Sequence, residues 1–199
     1  MIAKGGRAFV GLSALAAGVS LPFSLVASIA FAGLVVFLTI VFRDPGRRIG
    51  KGIVSPADGT VRDVDHGRGM VSIYLALRNV HVTRSPAEGK VARVKVSSGT
   101  HAPAFSGKSL GNERAELALS SEIGEITVVE MTGAIARRIV LYVKAGEELA
   151  KGQKLGLIRF GSRVDVFLPP SMTSIVVAKG AKVRAGTTTI AEVRDVHME

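Results

Sequence analysis

From Ala8 to Phe42 the chain runs for 35 residues without one charged side chain, bracketed by Lys4 and Arg7 before and by Arg43, Arg47, Arg48 and Lys51 after. A bilayer crossing takes about 20 apolar residues, and the second half of the run, "PFSLVASIAFAGLVVFLTIVF" from Pro22, reaches that length. The first half, Ala8 to Ser20, is shorter and rich in Gly and Ala, which suits a second short span or a helix lying in the interface. A hairpin turning near "GVSLP" explains why both flanks are basic, since positive residues favour the cytoplasmic side. Residues 1–42 are therefore expected to be a membrane anchor, one span or a helical hairpin, with the hairpin preferred. A cleaved signal peptide with "AFA" at 30–32 is the rival, but the apolar run continues for ten more residues beyond it. The expected location is the cell membrane, with the remaining domain on its cytoplasmic face.

Hydropathy collapses at "RDPGRRIGKG", where Pro45 and Gly46 stop a helix, and the 43–199 region reads as strands and turns. Short Val- and Ile-rich alternating runs recur: "GTVRDVD", "GMVSIYLAL", "GKVARVKV", "GEITVVEM", "RRIVLYV", "KLGLIRF", "RVDVFL" and "TSIVVAKG". Two internal echoes sharpen the pattern. "SPADGTVRDV" at 55–64 returns as "SPAEGKVARV" at 85–94, and "AGEELAKGQKLGLI" at 145–158 returns as "KGAKVRAGTTTIAE" at 179–192, with Gly146 and Gly152 matched by Gly180 and Gly186. The expected fold is all-β, a compact β-sandwich or barrel-sandwich hybrid behind the helical anchor.

Chemistry is bounded by composition. With no Cys there are no disulfides, thiolate nucleophiles or Cys-based zinc sites. A net charge of +10 points to an anionic partner, and with only 5% aromatic residues and no Trp that partner is a membrane or anionic lipid rather than nucleic acid. No metal-ligand spacing, phosphate-binding loop or nucleotide fingerprint is present, so no metal is expected.

Three polar positions stand out: Asp58 in the turn "SPADG", His81 in "LRNVHVTRSP", and Ser162 in "RFGSRVD". Each has an ordinary structural reading, as a turn Asp, a satisfied histidine and a serine beside a strand glycine. Together they supply a hydroxyl, an imidazole and a carboxylate, the parts of a nucleophilic site. His66, His101 and His197 lie in polar or terminal contexts and are weaker candidates.

"RFGSRVDVFLP", with "SPADG", "NVHVTRSPAEG", the "NER" at Asn112 to Arg114 and "TGAIARRIVLYV", resembles the short, membrane-associated phosphatidylserine decarboxylases over nearly the whole chain. The resemblance implies a zymogen that cuts itself between Gly161 and Ser162, giving chains 1–161 and 162–199 that stay partnered, and that converts Ser162 into a covalent pyruvoyl group. That group would form a Schiff base with the serine headgroup of an anionic lipid, phosphatidylserine or archaetidylserine, and release carbon dioxide to leave the ethanolamine lipid. By the same resemblance His81 is the proton donor and Asp58 assists self-cleavage.

Longer relatives resemble H-x-x-H-x-P, whereas "HVTRSP" puts Arg84 at the second histidine position, which leaves the cleavage base open. Arg84 is a candidate for contacting lipid phosphate or carboxylate, and Arg163 for substrate or support. Arg43, Arg47, Arg48 and Lys51 are candidates for contacting headgroups. Other classes stay in view: a membrane-anchored adaptor or lipoyl-type carrier, which lacks a hairpin-tip Lys here, a serine hydrolase that keeps its Ser, and a pyruvoyl enzyme for a soluble amino acid. Self-association through a strand edge or the anchor is open.

Overall fold

The computed structural model describes residues 1–100, 102, 111–133, 138–158 and 162–194. The chain forms two compact units, Met1–Gly46 and Arg47–Glu199. In the first, α1 (Arg7–Ser20) and α2 (Leu25–Val41) form a helical hairpin. Pro22 and Ser24 divide the apolar run: Ser24 is the N-cap of α2, its Oγ accepting from the Ala27 amide at 3.3 Å. The helices are tied by the Ser28 hydroxyl, which donates to the Ala17 carbonyl at 2.8 Å. The open end is closed by the Ala3 amide on the Phe42 carbonyl and by stacked Phe9 and Phe42 rings.

This corrects the expectation of a membrane-crossing anchor over 1–42. Among the described residues no helix is long and apolar enough to cross a membrane. The 17 residues of α2 rise about 25 Å at 1.5 Å each, short of a hydrocarbon core of about 30 Å.

The second unit is mainly β. Its largest sheet has eight strands: β2 (Gly59–Asp65), β3 (Met70–Leu75), β5 (Gly89–Ser97), β6 (Arg114–Ser121), β7 (Gly124–Met131), β9 (Glu148–Leu149), β11 (Ser162–Phe167) and β13 (Lys182–Val183). Their order is β13-β2-β3-β11-β7-β6-β5-β9. β1 (Ile53–Val54), β14 (Thr189–Val193) and β12 (Thr173–Ile175) form one three-stranded sheet, in the order β1-β14-β12. β4 (Val82–Arg84), β10 (Lys154–Ile158) and β8 (Ile139–Leu141) form another, in the order β4-β10-β8. Alternation sets the core: Val71, Ile73 and Leu75, Leu117 and Leu119, Ile126 and Val128, and Val164 and Val166 are buried on one side of the large sheet.

The two sequence echoes pair with each other. Val61 exchanges backbone hydrogen bonds with Ala181 and Gly180, and thirty residues on Val91 does the same with Glu147 and Gly146. Ser55 bonds Thr188 and Gly186 while Ser85 bonds Gln153 and Gly152, and each serine hydroxyl donates to a carbonyl two residues ahead, Ala57 or Ala87. Gly146, Gly152, Gly180 and Gly186 all have positive φ, between 72° and 91°, the left-handed backbone that glycine adopts without a Cβ clash. The halves differ where the chemistry was expected: Asp58 is buried, whereas its counterpart Glu88 is exposed.

Candidate active site

Ser162 opens β11 between β3 and β7, opposite Leu75. It is fully buried, and its Oγ has no hydrogen-bond partner among the described residues. The chain reaches it from β10, which ends at Ile158 in a different sheet. The break read at Gly161-Ser162 is thus a change of sheet within a few residues. Gly161 itself lies outside the described residues, as do His101 and His197.

His81 is 1% exposed, and its carbonyl accepts from the Ile158 amide at 3.1 Å, which fixes it beside the end of β10. Asp58 precedes β2, whose Thr60 lies opposite Tyr74 of β3, and Tyr74 in turn lies opposite Arg163 of β11. Asp58 and Ser162 therefore stand at the same end of the sheet with one strand between theirs, about 10 Å at 4.8 Å per strand. The Asp58 carboxylate is held by Arg47 Nη2 at 2.8 and 3.0 Å and by the Ala185 amide at 2.8 Å, and among the described residues no hydrogen bond joins it to His81 or Ser162. Arg84 is buried and its Nη1 donates to the Gly152 carbonyl at 3.1 Å. Arg163 points to the other face of β11 from Ser162, where Nε and Nη2 grip Asp165 at 2.8 and 2.7 Å.

Three positions beyond those expected hold this end of the fold. Asn112 is buried; its Nδ2 donates to the Ala102 and Thr132 carbonyls, and its Oδ1 accepts from the Ala102 amide and Thr100 Oγ1. "NER" thereby secures the end of β7. On β7, Glu130 is fully buried and accepts from Thr83 Oγ1 at 2.5 Å. Burial pushes the Glu130 carboxyl up from 4.5 to about 7, against the opposing pull of the Thr83 hydrogen bond. Glu130 and Thr83 sit amid β-branched and apolar neighbours in sequence, and nothing local marks them. Among the described residues no group of three His, Cys, Asp or Glu side chains is arranged to hold a metal.

The buried, unpartnered Ser162 hydroxyl carries an unmet desolvation cost.

The sequence also matches the family model for phosphatidylserine decarboxylase over residues 34–191. A Halobacterium salinarum proenzyme named for archaetidylserine decarboxylation is 48% identical over 190 residues, covering 92% of each chain. A Methanosarcina acetivorans protein of the same name is 39% identical and covers 98% of each. The phosphatidylserine decarboxylase proenzyme of Streptomyces coelicolor is 42% identical over 182 residues, 89% of this chain and 79% of its own. With a family-model match over residues 34–191 and relatives 39–48% identical over most of its length, this chain belongs to the phosphatidylserine decarboxylase family of carboxy-lyases.

Proposed function

We propose that this chain is a self-processing decarboxylase of serine-headgroup phospholipids in which Ser162 becomes a pyruvoyl group. The observation that carries the reading is the Ser162 hydroxyl, buried and unpartnered at the first residue after the chain changes sheets. Attack of Oγ on the carbonyl carbon of residue 161 breaks the peptide bond, forms an ester and frees the Ser162 amine. Loss of the Cα proton and of the 161 carboxylate leaves dehydroalanine, and water replaces its nitrogen, releasing ammonia and leaving the ketone.

The pyruvoyl carbonyl supplies the electron sink for loss of the substrate carboxylate. His81 delivers the proton to the substrate α-carbon, a role suited to imidazole. Asp58, held by Arg47 and the Ala185 amide, assists self-cleavage by fixing the adjoining turn. Arg84 and Arg163 support the site from Gly152 and Asp165. The four strands that follow the cut interleave with those before it in two sheets, which favours two chains that stay together.

The substrate enters from a membrane. Phe23 is 84% and Val26 80% exposed on a hairpin without charge on its helices beyond Arg7. Such a surface suits insertion into one leaflet without crossing. Arg43, Arg48 and Lys51 then draw anionic headgroups to the cytoplasmic face of the cell membrane, whereas Arg47, expected to do the same, is committed to Asp58. The test is an assay in mixed micelles with diester and diether serine lipids, following the ethanolamine lipid and carbon dioxide. Conversion of either lipid by the wild type and none by Ser162→Ala supports the reading; no product from either lipid with fully processed protein contradicts it.

A further inference from the structure

Ser162 belongs to the eight-stranded sheet, while β10, which ends at Ile158, and β4, which begins just after His81, belong to the β4-β10-β8 sheet. Attack by Ser162 requires that the two sheets be held in fixed register, and Glu130 joins them directly. On β7 it lies opposite Val164 of β11, so its side chain is on the same inner face as Val164 and, one pleat along, Ser162. Such diagonal neighbours stand about 7–8 Å apart, within reach of a long side chain. Across the gap Oε1 is held by Thr83, two residues beyond His81, the interval that returns to the same side of an extended chain.

The other oxygen, Oε2, is buried without a partner among the described residues, as is Ser162 Oγ. A Cβ on Gly156 of β10 would lie 3.5 Å from Oε2, an ordinary contact that places this oxygen beside β10. Thr83 is the one hydrogen-bond partner of this carboxyl among the described residues, with no cation beside it. A buried carboxyl so placed keeps its proton on a large share of molecules near neutrality. It can therefore donate from Oε2.

We propose that Glu130 is a positioning residue for self-cleavage: Oε2 and the Ser162 hydroxyl are not bonded to each other in this structure, and with Oε1 held by Thr83 a rotation of the Ser162 side chain lets Oε2 donate to its oxygen and fix the rotamer from which Ser162 attacks. Glu130 keeps its proton throughout, so the amide of Gln can replace it. The inference rests on the self-processing reading above.

The experiment follows cleavage of the full-length chain by intact mass after pulsed expression, for wild type, Glu130→Gln, Glu130→Leu and Thr83→Val, with folding checked by circular dichroism. Expected are Glu130→Gln cut at the wild-type rate, Glu130→Leu cut at least tenfold more slowly while folded, and Thr83→Val slowed between the two. Cleavage of both Glu130→Leu and Thr83→Val at the wild-type rate would overturn the proposal. So would failure of Glu130→Gln, which would make the carboxylate itself the reacting group. If Glu130→Leu does not fold, Thr83→Val together with Glu130→Gln decides. An uncut wild type would instead remove the self-processing reading.

Discussion

The backbone amide of Ala185 donates to Oδ1 of Asp58 at 2.8 Å across 127 residues of sequence. After a cut before Ser162 that bond joins two separate chains. It is reinforced by β11 seated between β3 and β7, β13 on β2, and β14 on β1. Processed protein is expected to run as one species in native size exclusion and as two in denaturant. Separation of the fragments under native conditions would contradict the interleaved architecture.

Glu130 makes stability depend on pH. Its carboxyl is raised in the folded state from 4.5 to about 7, so the unfolded chain releases this proton first. The contribution is complete below about pH 4.5 and is lost as pH rises through 7, amounting to about 3 kcal/mol at 1.36 kcal/mol per pH unit. In an unprocessed Ser162→Ala background, the Tm should drop by roughly 10 °C more between pH 5 and 8 than in the same protein carrying Glu130→Gln. Parallel Tm curves for the two would contradict the assignment.

Gly156 should not tolerate a side chain. A Cβ there would meet the Val140 carbonyl at 2.7 Å and Glu130 Oε2 at 3.5 Å. Backbone cannot yield as a side-chain tip can, so Gly156→Ala should cost about 1–3 kcal/mol, read from denaturant melts, and slow self-cleavage. An unchanged midpoint with normal processing would mean that the β10–β8 contact yields at little cost.

The hairpin should bind membranes through apolar surface. Phe23 and Val26 are its most exposed large side chains after Met1, and each is worth about 1.5–3 kcal/mol on burial. Phe23→Asp with Val26→Asp should weaken co-sedimentation with anionic vesicles at least tenfold, with much of the wild-type binding surviving high salt. Binding abolished by salt alone would assign the interaction to the basic residues.

Much of this fold was legible because strand alternation and glycine turns are local signals. "GTVRDVD" is β2 to the residue, and the four echoed glycines mark the two matched turn pairs. β6 was missed because "RAELALSS" is rich in helix formers, and only its place between β5 and β7 makes it a strand. The run was divided near "GVSLP", but a crossing was expected of it, and α2, capped at Ser24, has only 17 residues, too short to cross a membrane. Of the site, Asp58, His81 and Ser162 stood out by residue type. Glu130 and Thr83 did not, since they are 47 residues apart in sequence and are paired only where two sheets meet.

Self-processing at Ser162 is the central claim, and intact mass under denaturing conditions tests it most directly. The wild type should give two fragments parting between Gly161 and Ser162, the smaller one blocked at its N-terminus by the mass of a pyruvoyl group, while Ser162→Ala stays whole. A single uncut mass in folded wild-type protein that decarboxylates serine lipid would contradict it.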